Sequence, residues 1–426
     1  MSIIETAPRT RLRWPSPAVI RRAAEARPRT EESVKKRLGW IWGLLVLNVM
    51  PYSAKSTLIP IPTTVGKALT QGALVGALVL AVSINRRGLV RPSLFLFFMT
   101  VLCVTTTMVS LRGYFSVIGS DYRCVRLLLM VATLWLLTPW WGRKDLLLLH
   151  YHRRMMLIVL LTVLAGIALS PTAAFAQAGG GRLGGTIWPI PPTQVAHYAA
   201  VLAGTTIVLW FSGLLRGKAT VAITGLSILT LLLAHTRTAL IAMLFGILLA
   251  ALSLFLSRKR VRKAVGITFV IAAMAALTLS PFLKTWFNRG ENGQLDQLSG
   301  RAATWSGLLA QPRTEFNTVF GYGISNDSFN GLPIDSSWLS TYLDQGLVGD
   351  LLDGAMLLVL IGTAVASPRG PRRALALFFA GYCVVASYTE TGLGEASPYL
   401  LDLTVAMALL AAPTRLARLP ASEPGR

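Results

Sequence analysis

Long apolar runs alternate with polar segments along most of this chain. Twelve such runs lie near residues 38–54, 66–84, 92–111, 124–141, 155–172, 196–215, 219–234, 238–257, 264–282, 338–366, 372–388 and 397–412. A bilayer core takes about 20 apolar residues per helix. Several runs are shorter, so the count holds to within one or two. The pattern predicts an all-α polytopic membrane protein of about 12 transmembrane helices, with a large outer loop over residues 283–337 between the ninth and tenth. Within that loop, Leu295, Leu298, Ala302, Trp305, Leu308 and Leu309 recur at helical spacing. They predict an amphipathic helix of about 15 residues at the membrane surface, with Trp305 as its interfacial anchor. The segment "GYGISNDSFNGLPID" after it reads as a loop. A second polar stretch, residues 173–195, contains "AQAGGGRLGGTIWPIPPTQ" and is rich in Gly and Pro.

Charge orients this frame. With residue 1 inside, 30 of the 41 Lys and Arg residues fall in the tails and inside loops, which predicts cytoplasmic termini and an even number of spans. Asp121, Glu291, Asp296, Glu315, Asp327, Asp335, Glu390 and Glu395 all map to the other side. The net charge of +23 therefore reads as topology and attraction to anionic lipid rather than as a nucleic-acid surface. Residues 1–37 lack a long apolar run and are expected to be a basic, disordered cytoplasmic tail, with residues 413–426 as a second tail and residues 38–412 as the membrane domain. Cys103, Cys124 and Cys383 have neither disulfide-framework nor metal-ligand spacing.

Eleven basic residues remain outside, and three of them stand out. Arg237, in "LLLAHTRTALIAML", occupies a very short link between two spans, where an Arg must be solvated, snorkelling or paired. Arg301 lies on the surface helix, and Arg182 sits among glycines that would let a ligand approach the backbone. Guanidinium is permanently charged and bidentate, which suits phosphate oxygens. A snorkelling Arg, a solvated helix residue and a flexible loop are the respective plain alternatives. His235 and His197 are candidates for contact or for packing. Glu390 and Glu395, in "YTETGLGEASP", can bind hydroxyls or act as a base. Asp350 and Asp353 lie within an apolar run, where ionisable groups are rare. Asp121, Arg123 and Arg126 cluster at the start of the fourth span, where they are expected to pair locally.

Four segments, taken in order and on one side of the membrane, resemble the O-antigen ligase and O-antigen polymerase superfamily of bacterial membrane glycosyltransferases. They are "GRLGGTIWPIPPTQVAHYA", "HTRTALIAMLFG", "SGRAATWSGLL" and "FGYGISNDSF" with "IDSSWLSTYLDQGLVG". The resemblance covers about residues 180–365. It implies a GT-C-like fold, a site on the outer face of the inner membrane, and no metal or cofactor. It also implies a polyprenyl-pyrophosphate-linked glycan as donor and a hydroxyl of a glycan or lipid as acceptor. By the same resemblance Arg237 and Arg301 hold the pyrophosphate, with Arg182 at a third basic position.

The chain departs from the family at one point. Members often carry a His-Asn pair eleven residues before a turn of two glycines flanking two apolar residues. Here that turn is Gly346–Gly349, and the corresponding position is Asp335. A carboxylate there can take the proton of an attacking hydroxyl. The sequence "DSSW" before an apolar run also suits a helix N-cap, so both roles are expectations for Asp335. The expected activity is polymerisation of carrier-linked repeat units, with ligation to another acceptor as the close alternative and a non-enzymatic transporter as the alternative of another class.

Overall fold

The computed structural model describes residues 17–52, 57–58, 60–112, 117–176, 181–255, 261–263, 301–325 and 327–412. The chain is mostly helical. The membrane part begins with α1 (Pro17–Val49), α2 (Thr63–Ile84), α3 (Leu94–Ser110), α4 (Val117–Leu137), α5 (Leu147–Leu169) and the short α6 (Pro171–Phe175). It continues through α7 (Pro192–Phe211), α8 (Gly217–Leu233) and α9 (Arg237–Phe255). Two short helices, α10 (Arg301–Ala310) and α11 (Glu315–Phe320), and a hairpin of β1 (Ser328–Phe329) with β2 (Leu332–Pro333) precede α12 (Ser337–Ala366), α13 (Pro371–Ala386) and α14 (Pro398–Leu410).

Among the described residues, six helices are long and apolar enough to cross a membrane: Thr63–Ile84, Ser120–Trp140, Leu147–Leu169, Pro192–Phe211, Arg237–Phe255 and Ser337–Ala366. Leu94–Ser110, Gly217–Leu233 and Pro398–Leu410 are apolar but shorter. This is a multi-pass membrane protein. The run at 264–282 and the first part of the expected surface helix lie outside the described residues. Helix α1 extends back to Pro17, so residues 17–37, expected as a disordered tail, are helical from that point. Ion pairs of Glu31 with Arg143 (2.9 Å) and of Lys35 with Asp145 (3.7 Å) tie this extension to the loop before α5.

Helix ends follow local chemistry. Ser93 and Ser397 accept hydrogen bonds from the backbone N–H of Leu96 and Leu400, and α7, α13 and α14 start on proline, whose missing N–H costs nothing there. Close packing rests on small residues. A Cβ at Gly246 of α9 would lie 2.6 Å from the carbonyl oxygen of Phe378, and one at Gly204 of α7 would lie 2.1 Å from its ring. Both helices therefore close on α13 at backbone distance.

A polar network crosses the buried centre. The fully buried His152 and Asp402 are 2.7 Å apart, and His197 Nε2 lies 3.4 Å from the second Asp402 oxygen. Trp42 donates to His152 Nδ1 at 3.3 Å, and Tyr382 Oη lies 3.1 Å from His197 Nδ1. Five helices (α1, α5, α7, α13 and α14) thus meet in one cluster of polar contacts. His197 takes its plain, structural role.

Helix α12 is interrupted at Gly346, where φ is 66° and ψ −163°. The expected two-glycine turn is a break inside a helix. The carbonyls of Leu343 and Asp344, released by the break, accept from the backbone N–H of Tyr322 (3.0 Å) and Gly323 (2.8 Å). The segment after α11 is thereby stitched to the broken helix.

Candidate functional site

The Gly-rich segment is pinned rather than free. Leu183 is buried and its N–H donates to the carbonyl of Leu233 at 3.0 Å, while Gly184 donates to Ala174 and Gly185 to Ile190. A Cβ on Gly185 would lie 2.3 Å from the carbonyl oxygen of Trp188, so this fold of the loop needs glycine there. The loop sets Arg182 against the α8–α9 link: Nε donates to the carbonyl of Ala234 at 3.2 Å and Nη2 to the hydroxyl of Thr236 at 3.0 Å.

The link itself turns through His235, which has a left-handed φ of 48° and a ring Nδ1 3.2 Å from the carbonyl of Leu233. Two residues later Arg237 is the first residue of α9. Its charge adds to the positive end of a 19-residue helix. Thr238 then meets Thr389, hydroxyl to hydroxyl at 2.5 Å, which joins α9 to the α13–α14 loop.

The segment before α12 delivers the third Arg. Arg301 starts α10, and its Nε donates to Asp335 Oδ2 at 3.1 Å. Trp305 donates to the carbonyl of Ile334 at 2.6 Å and packs edge-on against Tyr388, with ring centroids 5.6 Å apart. Trp305 was expected as an interfacial anchor; it instead fastens α10 to the α12 approach and the α13–α14 loop. Asp335 is corrected too. The N-cap position of α12 belongs to Ser336, which makes no side-chain cap bond, while Asp335 has φ 47° and gives its carboxylate to Arg301.

Glu390 lies next to this group. Its backbone carbonyl accepts from the hydroxyl of Ser337 at 2.8 Å. Burial pushes its carboxyl up to about 7; the positive charges of Arg301 and Arg182 pull it down, and the negative Asp335 raises it. The same loop, the hairpin approach and the α8–α9 link therefore bring Arg182, Arg301 and Asp335 each within electrostatic reach of Glu390, with Arg182 tied to the link that leads into Arg237. Several permanent positive charges and a helix N-terminus next to two carboxylates can hold a polyanion and accept a proton beside it.

Glu395 is not part of that group. Together with Asp327 and Asp344 it places one carboxylate oxygen from each residue within 4.8 Å of the others. Burial drives the Glu395 carboxyl well above its ordinary range, and the negative Asp327 and Asp344 add to this. Asp327 accepts a short hydrogen bond from Ser340. Arg126 at the start of α4 donates to the carbonyls of Asn48 and Ala396, each at 3.0 Å, instead of pairing with Asp121 as expected. Asp353 is buried and accepts from Thr341 at 3.0 Å.

Two other arginines are held by rings. Arg313 lies 4.1 Å from the ring centroid of Tyr342 and donates to its carbonyl, and Arg112 lies 3.9 Å from that of Phe316. The sequence reading missed Asp344, Thr236 and Thr389 as members of these groups. A buried Asp in the middle of an apolar run was the one available signal for Asp344, and it was noticed only for Asp350 and Asp353.

Residues 222–352 match the family model described as O-antigen ligase. That stretch runs from α8 through the first half of α12 and contains the α8–α9 link, α10 and Asp335. No curated protein matches the chain. A chain from a solved structure described as "Structural coordination of polymerization and crosslinking by a peptidoglycan synthase complex" is similar over 80% of this chain and 96% of its own, at 15% identity and a TM-score of 0.36. That likeness is too low to carry an argument.

Proposed function

From the match of residues 222–352 to the O-antigen ligase family model, we propose that this protein polymerises polyprenyl-pyrophosphate-linked glycan repeat units at the outer face of the inner membrane. The observation that carries the reading is the gathering of Arg182, Arg301 and Asp335 around Glu390, with Arg182 tied to the link that leads into Arg237. All of them come from segments that the charge pattern assigns to the outside.

The reaction is a displacement at the anomeric carbon. The acceptor hydroxyl oxygen forms the new glycosidic bond, the bond from that carbon to the carrier pyrophosphate breaks, and its electron pair leaves with the pyrophosphate. Arg237 and Arg301, with Arg182 behind the link, stabilise this departing charge. Their guanidinium groups supply the positive charge, so the step calls for no metal. The acceptor proton goes to Asp335. In the free protein Arg301 is paired with Asp335 at 3.1 Å. When the pyrophosphate draws Arg301 away, the carboxylate is released beside the incoming hydroxyl. Glu390, poised near neutrality and next to the same arginines, is the second candidate for this proton.

Ligation uses the same chemistry with a lipid or other envelope acceptor. A transporter would place its substrate groups near the bilayer midplane, whereas these residues belong to outer segments. The test is incubation of the purified full-length protein in lipid nanodiscs with a carrier-linked oligosaccharide. A growing ladder of products is expected. A single transfer to a separate acceptor would make it a ligase, and no transfer to any acceptor would sink the enzyme reading.

A further inference from the structure

A cavity of about 850 Å³ lies between the first turns of α2 and α4, the segment at 324–327 and the residues just before α14. Its size is in the range of small-molecule sites. Its lining includes Asn48, Gln71, Asp327 and Glu395 together with two aromatic side chains, Tyr52 and Tyr122.

Two loops connect this cavity to the arginine group. The hairpin of β1 and β2 puts Asp327 at one end, on the cavity, and Asp335 at the other, on Arg301; its ends are joined by the Ile334 N–H to Asp327 carbonyl bond of 2.9 Å. The loop before α14 does the same, with Glu395 on the cavity and Glu390 beside Arg301. Tyr52 also packs edge-on against Trp188 of the Arg182 loop, with centroids 5.1 Å apart. The cavity and the arginine group are thus two sides of one wall.

The charges on the cavity are of both signs. A phosphate would lie against Asp327, with Asp344 close beside it. A divalent cation would face Lys67, Arg123 and Arg126. A neutral polyhydroxylated molecule suits both sets. Its hydroxyl hydrogens can go to the carboxylates, its oxygens can accept from Arg123, Asn48 and Gln71, and its C–H faces can lie on the tyrosine rings. Displacement at an anomeric carbon also requires the attacking oxygen to arrive opposite the leaving pyrophosphate, hence on the side of the wall away from the arginines.

Resting on the polymerase reading above, we propose that this cavity binds the acceptor glycan, as a neutral oligosaccharide, whose terminal hydroxyl reaches past the hairpin to Asp335 and the donor's anomeric carbon. The bodies of donor and acceptor then lie on the two sides of the wall and meet at its edge.

The test uses the full-length protein in nanodiscs and, as probe, the carrier-linked glycan that accumulates in cells lacking this protein. Wild type is expected to retain two glycans per protein, and Arg301→Ala and Gln71→Trp one each. Gln71→Trp fills the cavity and should slow ladder growth roughly tenfold or more. Because that variant is a large change, a photoreactive benzoylphenylalanine in place of the cavity-lining Tyr122, which it resembles in shape, gives a second measurement: its crosslink should carry the glycan, as read by mass spectrometry. Two glycans retained by Gln71→Trp, or a crosslink to phospholipid alone, would overturn the acceptor chamber while leaving the polymerase reading intact. No ladder growth by the wild type would overturn both.

Discussion

At the residue scale the arginine group makes sharp demands. Arg237→Ala and Arg301→Ala should each lose about 30- to 1,000-fold in transfer rate, the value of one charge-assisted contact to a developing anion, roughly 2–4 kcal/mol. Lysine should restore only part of this, because an ammonium does not reproduce the guanidinium fork. Asp335→Asn keeps the size of a side chain that makes no cap and removes its basic oxygen. Its rate should fall about 100-fold or more if Asp335 takes the proton, with a melting temperature close to wild type. Near-normal turnover in Asp335→Asn would move the role to Glu390. That residue has its own signature. Burial pushes its carboxyl up to about 7 in the folded protein, from an ordinary 4.5. Between those values the folded state holds the proton more tightly than the unfolded chain, so its contribution to stability is complete at low pH and is lost as pH rises toward 7. Glu390→Gln should flatten that loss in melting temperature. If Glu390 is the base, activity of the wild type should instead rise through pH 7, and an activity profile unchanged by Glu390→Gln would exclude it.

At the scale of elements, the break in α12 carries the strain. Gly346 has a backbone conformation open to glycine almost alone, and a Cβ there would lie 2.5 Å from the carbonyl oxygen of Val319 and 2.6 Å from the N–H nitrogen of Gly321. Gly346→Ala should therefore destabilise the protein by at least about 1–3 kcal/mol, read as a fall in melting temperature in detergent. Alanine at Gly354 of the same helix, where nothing lies within 4 Å of the added carbon, should be tolerated. A stable Gly346→Ala protein would mean that the break is not required. Because the break anchors residues 322 and 323, its loss should also loosen the hairpin that carries Asp327 and Asp335.

For the whole molecule, orientation is the first question. Leu332 at the hairpin is 56% exposed, and Arg87 between α2 and α3 is exposed as well. Cys103, Cys124 and Cys383 are all buried, which leaves little background for labelling. A cysteine at Leu332 should react with an impermeant thiol reagent added outside intact cells, and one at Arg87 should react only after lysis. The reverse result would invert the topology and remove the site from the outer face. The His152–Asp402–His197 network fits this frame as internal ties among the spans, since a charge in such a place needs partners.

Hydrophobic period acts locally, and so most of the described helices were legible along the chain, while charge bias gives each loop an expected side. Arg237 and Arg301 stood out for the same reason, as permanent charges where the surrounding pattern makes charge rare. What the chain did not reveal is partnership. Whether Asp335 capped a helix or met Arg301 depended on where α10 docks, and Trp305, a surface anchor by its spacing, proved to be the side chain that docks it. The separation of Glu390 from Glu395, five residues apart, and the gathering of Glu395 with Asp327 and Asp344 depended on a loop running from the arginine group to the cavity. Such contacts join residues distant in sequence through the packing of helices on backbone-close glycines. Their energies belong to pairs of segments, and only the tertiary structure brings those pairs together.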